Sequence, residues 1–308
     1  MDYQQRLKLN TKLFYFTSIS VALAFIIPIW VVFQRRFMSF EQIALVYASA
    51  SAMTTILELP TGALADLIGR KKTLIIAWTL SALAYIFMAF AQNFYYFFFW
   101  FMINSIANAL DSGSSDALLF DSLKELNKEH EYANFNTKYG FIYRLGLSFA
   151  CLMGGYLFNI WVGLPYLLTG IFSLLVVILY FFMIEPKIDS EKFSLQNYLK
   201  QTKIGFKQLY KTNFIRILSI YFIVVGAITW TCLNYYNQPF AVEVGFNDIE
   251  RSWLFSAIYL FVASLLLVLV SLSKKHKIDK KWIYLTFPVV IIVALIPGFI
   301  TIAENPAL

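Results

Sequence analysis

Apolar and polar residues alternate along this chain in long blocks. Nine apolar runs stand out, at 13–33, 42–64, 73–91, 94–120, 139–160, 164–184, 214–236, 250–272 and 282–303. Each is close to the roughly 20 residues a helix needs to cross a bilayer core. The pattern predicts an all-α polytopic membrane protein with nine transmembrane helices. The first run follows Arg6, Lys8 and Lys12, as in a signal peptide. It is too long for a signal-peptide core and has no clear small-residue cleavage site, so it reads as a retained span.

The polar blocks are short except at 121–138 and 185–213. The second places Leu195, Tyr198, Leu199, Phe206, Leu209 and Tyr210 between Lys200, Lys203, Lys207 and Lys211 at three- and four-residue steps. That spacing predicts a basic amphipathic helix on the membrane surface. It leaves six predicted spans before it and three after.

Composition agrees with the pattern. Of 308 residues, 59% are apolar and only 14% charged, against about 25% charged in soluble domains. The net charge of +7 takes its meaning from where the cations lie. With the N-terminus in the cytoplasm, 21 cations fall on the inner side: Arg6, Lys8 and Lys12, Arg70 to Lys72, Lys124, Lys128 and Lys138, seven from Lys187 to Arg216, and five from Lys274 to Lys281. The outer side holds Arg35, Arg36 and Arg251, and Arg144 lies within a span. This asymmetry predicts a cytoplasmic N-terminus in the cell membrane. Cations spread over five separate loops also argue against nucleic acid as a partner.

Catalytic and cofactor chemistry finds no support. Cys151 and Cys232 sit inside apolar runs, and His130 and His276 sit in inner loops. There is no CxxC, HExxH or GxxxxGK[ST] pattern, so neither a metal nor a nucleotide is expected. The reading is a non-enzyme without cofactors, whose partners are the lipid bilayer, a small-molecule substrate and protons.

Ionisable groups at membrane depth cost about 2.5–3.5 kcal/mol each on insertion scales, which makes them functional candidates. Here they are Glu58, Asp111, Asp116 and Arg144. Arg144 falls at a depth between the two aspartates of the antiparallel neighbouring span. An Asp–Arg pair there would offset the burial of both charges; fixing helix packing alone is the other reading. Asn104, Asn108, Asp111 and Ser115 follow an i, i+4, i+7, i+11 spacing, so one helix face would carry all four. An aqueous cavity is the preferred reading of that face, and an interhelical hydrogen-bond seam the alternative. Trp230, Asn234, Tyr235 and Gln238 would form a second polar-aromatic face, partly as an interfacial aromatic belt.

The stretch Gly62 to Leu74, "GALADLIGRKKTL", resembles the loop between helices two and three of the major facilitator superfamily. That pattern reads Gly-x-Leu-Ala-Asp-(Arg/Lys)-x-Gly-(Arg/Lys)-(Arg/Lys)-x-x-Leu. Gly62, Leu64, Ala65, Asp66, Gly69, Arg70, Lys71 and Leu74 match, and Leu67 replaces the usual cation. The segments "DSGSSDALLFDSLKE" and "NYYNQPFAVEVGF" resemble a bacterial branch of drug and multidrug transporters. In "GLSFACLMGG", Gly146, Gly154 and Gly155 match a fifth-helix motif of proton-coupled drug antiporters, while Ala150 and Cys151 replace its second glycine and its proline.

The resemblance implies a fold of twelve helices in two six-helix halves, of which this chain holds about nine. It implies an N-terminal half over 1–185, a linker over 186–213, and the first three helices of an incomplete second half over 214–308. It implies a C-terminal truncation, with the tenth and eleventh helices beyond Leu308. It implies secondary active transport by alternating access, with proton-coupled efflux of lipophilic compounds as the expected activity. Gly62, Asp66, Gly69, Arg70 and Lys71 would form an inner gating latch, with Asp66 serving a helix N-terminus and Arg70. Asp111 would couple to protons, with Arg144 as its partner. The alternative is a non-transporting fragment, subunit or scaffold that keeps the fold.

Overall fold

The computed structural model describes residues 2–187, 212–231 and 235–275, together with Gln196, Lys203 and Ile204. The ninth predicted span, and nearly all of the predicted amphipathic linker helix, lie outside these residues. The described chain is helical throughout its regular elements: α1 (Tyr3–Ala22), α2 (Trp30–Arg35), α3 (Phe40–Ile68), α4 (Arg70–Met88), α5 (Phe94–Asp111), α6 (Ser114–Glu125), α7 (Tyr132–Ile160), α8 (Leu164–Phe182), α9 (Asn213–Thr231), α10 (Asn237–Glu243) and α11 (Asp248–Lys275).

Local chemistry explains where these helices start. Asp2 and Gln5 form a capping box at α1, and Ser39 and Gln42 form another at α3. The Asn93 side chain accepts from Tyr96 N–H at 2.9 Å to open α5. The Asn247 side chain accepts from the N–H groups of Ile249 and Glu250, each at 3.0 Å, to open α11.

Three predicted continuous spans are interrupted. The run 13–33 becomes α1, a turn over 23–29, and α2. Pro28 has no N–H to continue the helix, and the Phe25 N–H, past the end of α1, donates to Thr169 Oγ1 of α8 at 3.1 Å. An unpaired backbone group in hydrocarbon is thereby avoided. The run 94–120 breaks at Ser112–Gly113, where Gly113 has φ 75°, a conformation that favours glycine. In the run 42–64, Pro60 lies inside α3, and its two segments meet at 49°. Pro60 removes one helical hydrogen bond and its ring crowds the preceding turn.

Among the described residues, four helical segments are singly long and apolar enough to cross a membrane, at Arg70–Met88, Glu129–Ile160, Leu164–Phe182 and Asp248–Leu267; the bent α3 makes a fifth. The chain is a multi-pass membrane protein.

Two compact units are distinguished. The first combines residues 1–193 with 245–267, and the second combines 194–244 with 268–308. In the first unit, α4 packs on α5 and α8, α3 on α5, and α1 on α6, α7 and α8. Phe14, Leu74, Leu118, Leu123, Phe135, Val176 and Met183 fill a core where α1, α4, α6, α7 and α8 converge at the Lys/Arg-rich end.

Candidate functional site

The Lys/Arg-rich end is organised around the start of α4. Gly69 alone joins α3 to α4, with φ 95°. A Cβ at Gly69 would also lie 3.3 Å from the Glu185 carboxylate. That carboxylate accepts from the N–H groups of Arg70 and Lys71, one per oxygen, both at 2.8 Å. The first N–H groups of a helix have no intrahelical acceptor, and the helix dipole favours an anion there. Glu185 supplies it from just beyond α8. Arg70 pairs with Asp121 of α6, and Lys71 Nζ donates to Phe181 O of α8 at 2.9 Å.

The contacts expected of Asp66 within the described residues are made by other acids. Asp66 is exposed on the last turn of α3, while Glu185 takes the helix N-terminus and Asp121 takes Arg70. The single-residue joint turns the first N–H groups of α4 toward the end of α8, away from the last turn of α3. Gly62 has open space around it.

A second tie lies beside this one. Asn10, fully buried, accepts from Ile184 N–H at 2.9 Å and donates to Ile184 O at 2.8 Å and Ser122 Oγ at 3.1 Å. Tyr3 donates to Glu125 and accepts from Lys187 N–H at 3.0 Å. Residues 184–187 are thus fixed to α1 and α4, and α1 in turn to α6.

The intramembrane polar residues do not form one cavity face. Asn104 is buried and accepts from Ser81 Oγ of α4 at 2.9 Å. Asp111 accepts from Trp78 Nε1 of α4 at 3.1 Å. Both sit in the α4–α5 seam, so the seam reading of these two residues replaces the cavity reading. Asn108 is exposed. Ser115 lies beyond the break, on α6, bonded to Tyr180 Oη at 3.2 Å. The break at Ser112–Gly113 is the reason the i, i+11 relation fails. Glu58 accepts from Ser112 Oγ at 3.3 Å across that break. Asp116 is exposed in the first turn of α6.

The expected Asp–Arg pair does not form. Arg144 Nη1 donates to Gly140 O of its own helix at 2.9 Å. Ion pairs among the described residues are Arg70–Asp121, Lys128–Glu131 and Arg251–Asp248. Of the second polar-aromatic face, Tyr235 is half-buried and Gln238 is buried; the Trp230 side chain and Asn234 lie outside the described residues. No group of three or more His, Cys, Asp or Glu side chains among the described residues could hold a metal.

Toward the opposite end, α7 and α11 meet in a hydrogen-bonded seam. The Gly155 N–H donates to Ser252 Oγ at 2.7 Å, and Ser148 Oγ donates to Ser256 O at 2.9 Å. A Cβ at Gly155 would reach within 2.5 Å of Ser252 Oγ, and one at Gly154 within 2.5 Å of Phe25 O. Arg251, only 3% exposed, lies beside this seam. Its Nε donates to Pro28 O at 3.3 Å, and its two Nη atoms bond Phe246 O and the Asp248 carboxylate. Sequence reasoning placed Arg251 as a plain loop cation. The acid three residues before it, at the start of an apolar run, was the available signal.

Comparison with known proteins fits this architecture. Residues 13–308 match the family model of the Major Facilitator Superfamily. The chain belongs to that superfamily, which is one of transporters, not enzymes. It is 26% identical over 265 residues to YxaM, an uncharacterized MFS-type transporter of Bacillus subtilis (strain 168). That match covers 84% of this chain and 65% of the relative, so the chain spans just under two thirds of it. The fold is similar to the crystal structure of a D-xylose-proton symporter, with TM-score 0.63 and 16% identity over 89% of this chain and 70% of that one. It is also similar to that of the nucleoside transporter NupG, with TM-score 0.61 and 15% identity over 89% and 68%.

Proposed function

We propose that this chain is a secondary active transporter of a small solute in the cell membrane, with its N-terminus in the cytoplasm. It works by alternating access. The supporting observation is the asymmetry of its two ends. The Lys/Arg-rich end is tied by contacts among α1, α4, α6 and residues 184–187. The opposite end is tied by contacts from α11, which follows the linker, to α7 and to the turn before α2. Separating α11 from α7 opens that end without breaking the first set of ties.

In this reading the solute is a lipophilic compound moved outward against protons. Asp111, held by Trp78 and by no cation, is the candidate proton carrier. The test is a proteoliposome assay with a pH-sensitive dye inside and a panel of lipophilic compounds outside. A compound-dependent pH change is expected from the native chain and none from Asp111→Asn. An unchanged signal in Asp111→Asn refutes the role of Asp111. Absence of any compound-dependent signal from native protein supports the other reading, a non-transporting fragment or scaffold.

A further inference from the structure

Arg70 and Arg251, at helix starts, each have a carboxylate partner, and Arg144, inside α7, has none among the described residues. It lies in a helical segment long enough to span the membrane, Glu129–Ile160. Five residues separate it from the inner end of the predicted span 139–160, roughly 8 Å along the helix. A guanidinium within a span is costly unless something offsets its charge. Gly140 O takes one N–H only, and a carbonyl dipole does not neutralise a full charge.

The position of Arg144 shows where the missing anion would come from. Arg144, Ser148 and Gly155 follow an i, i+4, i+11 spacing, so they share one stripe of α7. Ser148 and Gly155 on that stripe bond Ser256 and Ser252 of the antiparallel α11. Continuing the register by one turn sets Arg144 opposite Tyr259, whose hydroxyl is within electrostatic range of its charge. Tyr143 adjoins it in sequence and also feels that charge. Arg144 is half-buried, so the seam that is closed at Ser252 leaves it partly open.

Its geometry is suited to a carboxylate. With Nη1 held by Gly140 O, the Nε–Nη2 edge remains as a planar two-donor fork. That edge matches the two oxygens of a carboxylate. Gly140 makes the arrangement possible: a Cβ there would lie 3.0 Å from Arg144 Nη1.

We propose that Arg144 is the anion-binding residue of the substrate site, and that the substrate is an amphiphilic organic acid. Its carboxylate meets the Arg144 fork, and its apolar body lies beside Tyr143 and Tyr259. This rests on the transporter reading above and narrows its solute class.

The test measures binding, so that it can fail independently of transport. Purified full-length chain in detergent is titrated with 1-naphthoate and with its uncharged isostere 1-naphthamide. The native protein is expected to bind the carboxylate at least about tenfold more tightly, the worth of one charge-assisted pair. Arg144→Gln should bring that ratio near one. Arg144→Lys, which keeps the charge and loses the fork, should leave a reduced preference. Equal binding of the two probes by native protein, or binding of neither, overturns the proposal, as does an undiminished ratio in a folded Arg144→Gln variant. The native-protein comparison still overturns the proposal, if the two probes bind equally, even when both variants fail to fold. A chain that prefers naphthoate but moves no solute would sink the transporter reading and leave the anion site standing.

Discussion

At the Lys/Arg-rich end, Arg70 pairs with Asp121, and Glu185 caps α4; every partner precedes the linker. At the opposite end, Arg251 pairs with Asp248 of its own helix and then reaches Pro28 O, more than two hundred residues earlier. Both ends use a guanidinium, a carboxylate and backbone carbonyls, yet their mechanical consequences differ. The first set holds α4, α6 and the exit of α8 as one body. The second joins α11 to the turn before α2, so it is the contact that the proposed separation of α11 would break. Charge chemistry alone does not distinguish a brace from a clasp. The positions of the two partners along the chain do.

The largest expected effect comes from attacking the clasp. Gly155→Leu places a side chain where Ser252 Oγ now sits, and no rotamer avoids the backbone of α11. Arg251→Ala removes a buried guanidinium and leaves the Asp248 carboxylate and two carbonyls without their donors. Breaking a buried pair from one side costs about 3–5 kcal/mol. A cysteine replacing Ser252 should therefore react with a membrane-impermeant maleimide several times faster in the Arg251→Ala background. Equal labelling in both backgrounds would show that Arg251 holds nothing shut.

A smaller effect is expected at the brace. Glu185→Ala removes two N–H···O bonds from the start of α4, of the kind worth about 0.3–1 kcal/mol at exposed helix ends and up to about 2 in partly buried ones. Lys71 Nζ still holds Phe181 O, and Arg70 still holds Asp121. Thermal unfolding should shift by only a few degrees, with Ser252Cys labelling unchanged. A rise in that labelling comparable to the effect of Arg251→Ala would mean that the Glu185 contacts help hold α11, which the brace-and-clasp distinction forbids.

Much of this architecture was legible from sequence. The positions of α4, α7 and α8 follow from apolar runs alone, because hydrocarbon demands about twenty such residues. The three interruptions were not legible from run length, since 23–29, Ser112–Gly113 and Pro60 sit inside runs that remain apolar. Pro28, Gly113 and Pro60 were the local signals, each changing backbone geometry without lowering hydrophobicity. At the site, the motif drew attention to Asp66 because it is close in sequence to Arg70. Glu185 and Asp121 lie more than fifty residues from the groups they serve, and no local pattern could assign them. Asn104 and Asp111 stand out in the sequence as polar groups turned away from lipid, with a cavity as the preferred reading and a seam as the alternative. Which neighbour supplied their partners depended on helix rotation, which Ser81 and Trp78 settle.

The smallest expected effect is a pH dependence at the first turn of α1, outside the predicted spans. Burial first, and the hydrogen bond to Glu125 second, push the Tyr3 hydroxyl up to about 12, against about 10 for a free phenol. The folded state therefore favours protonated Tyr3. Its contribution is complete below about pH 10 and disappears as pH rises through about 12. Losing it frees residues 184–187 from one of their ties, while Asn10 still holds Ile184 from both sides. Hydrogen exchange in the first two turns of α1, compared between native chain and Tyr3→Phe at each pH, isolates this one group from the others that titrate nearby. The native chain should be the better protected at pH 8, and the difference should shrink above pH 10. A difference that stays constant across that range would show that Tyr3 acts through ring packing, with Lys187 Nζ above its face at 4.7 Å, and not through its proton.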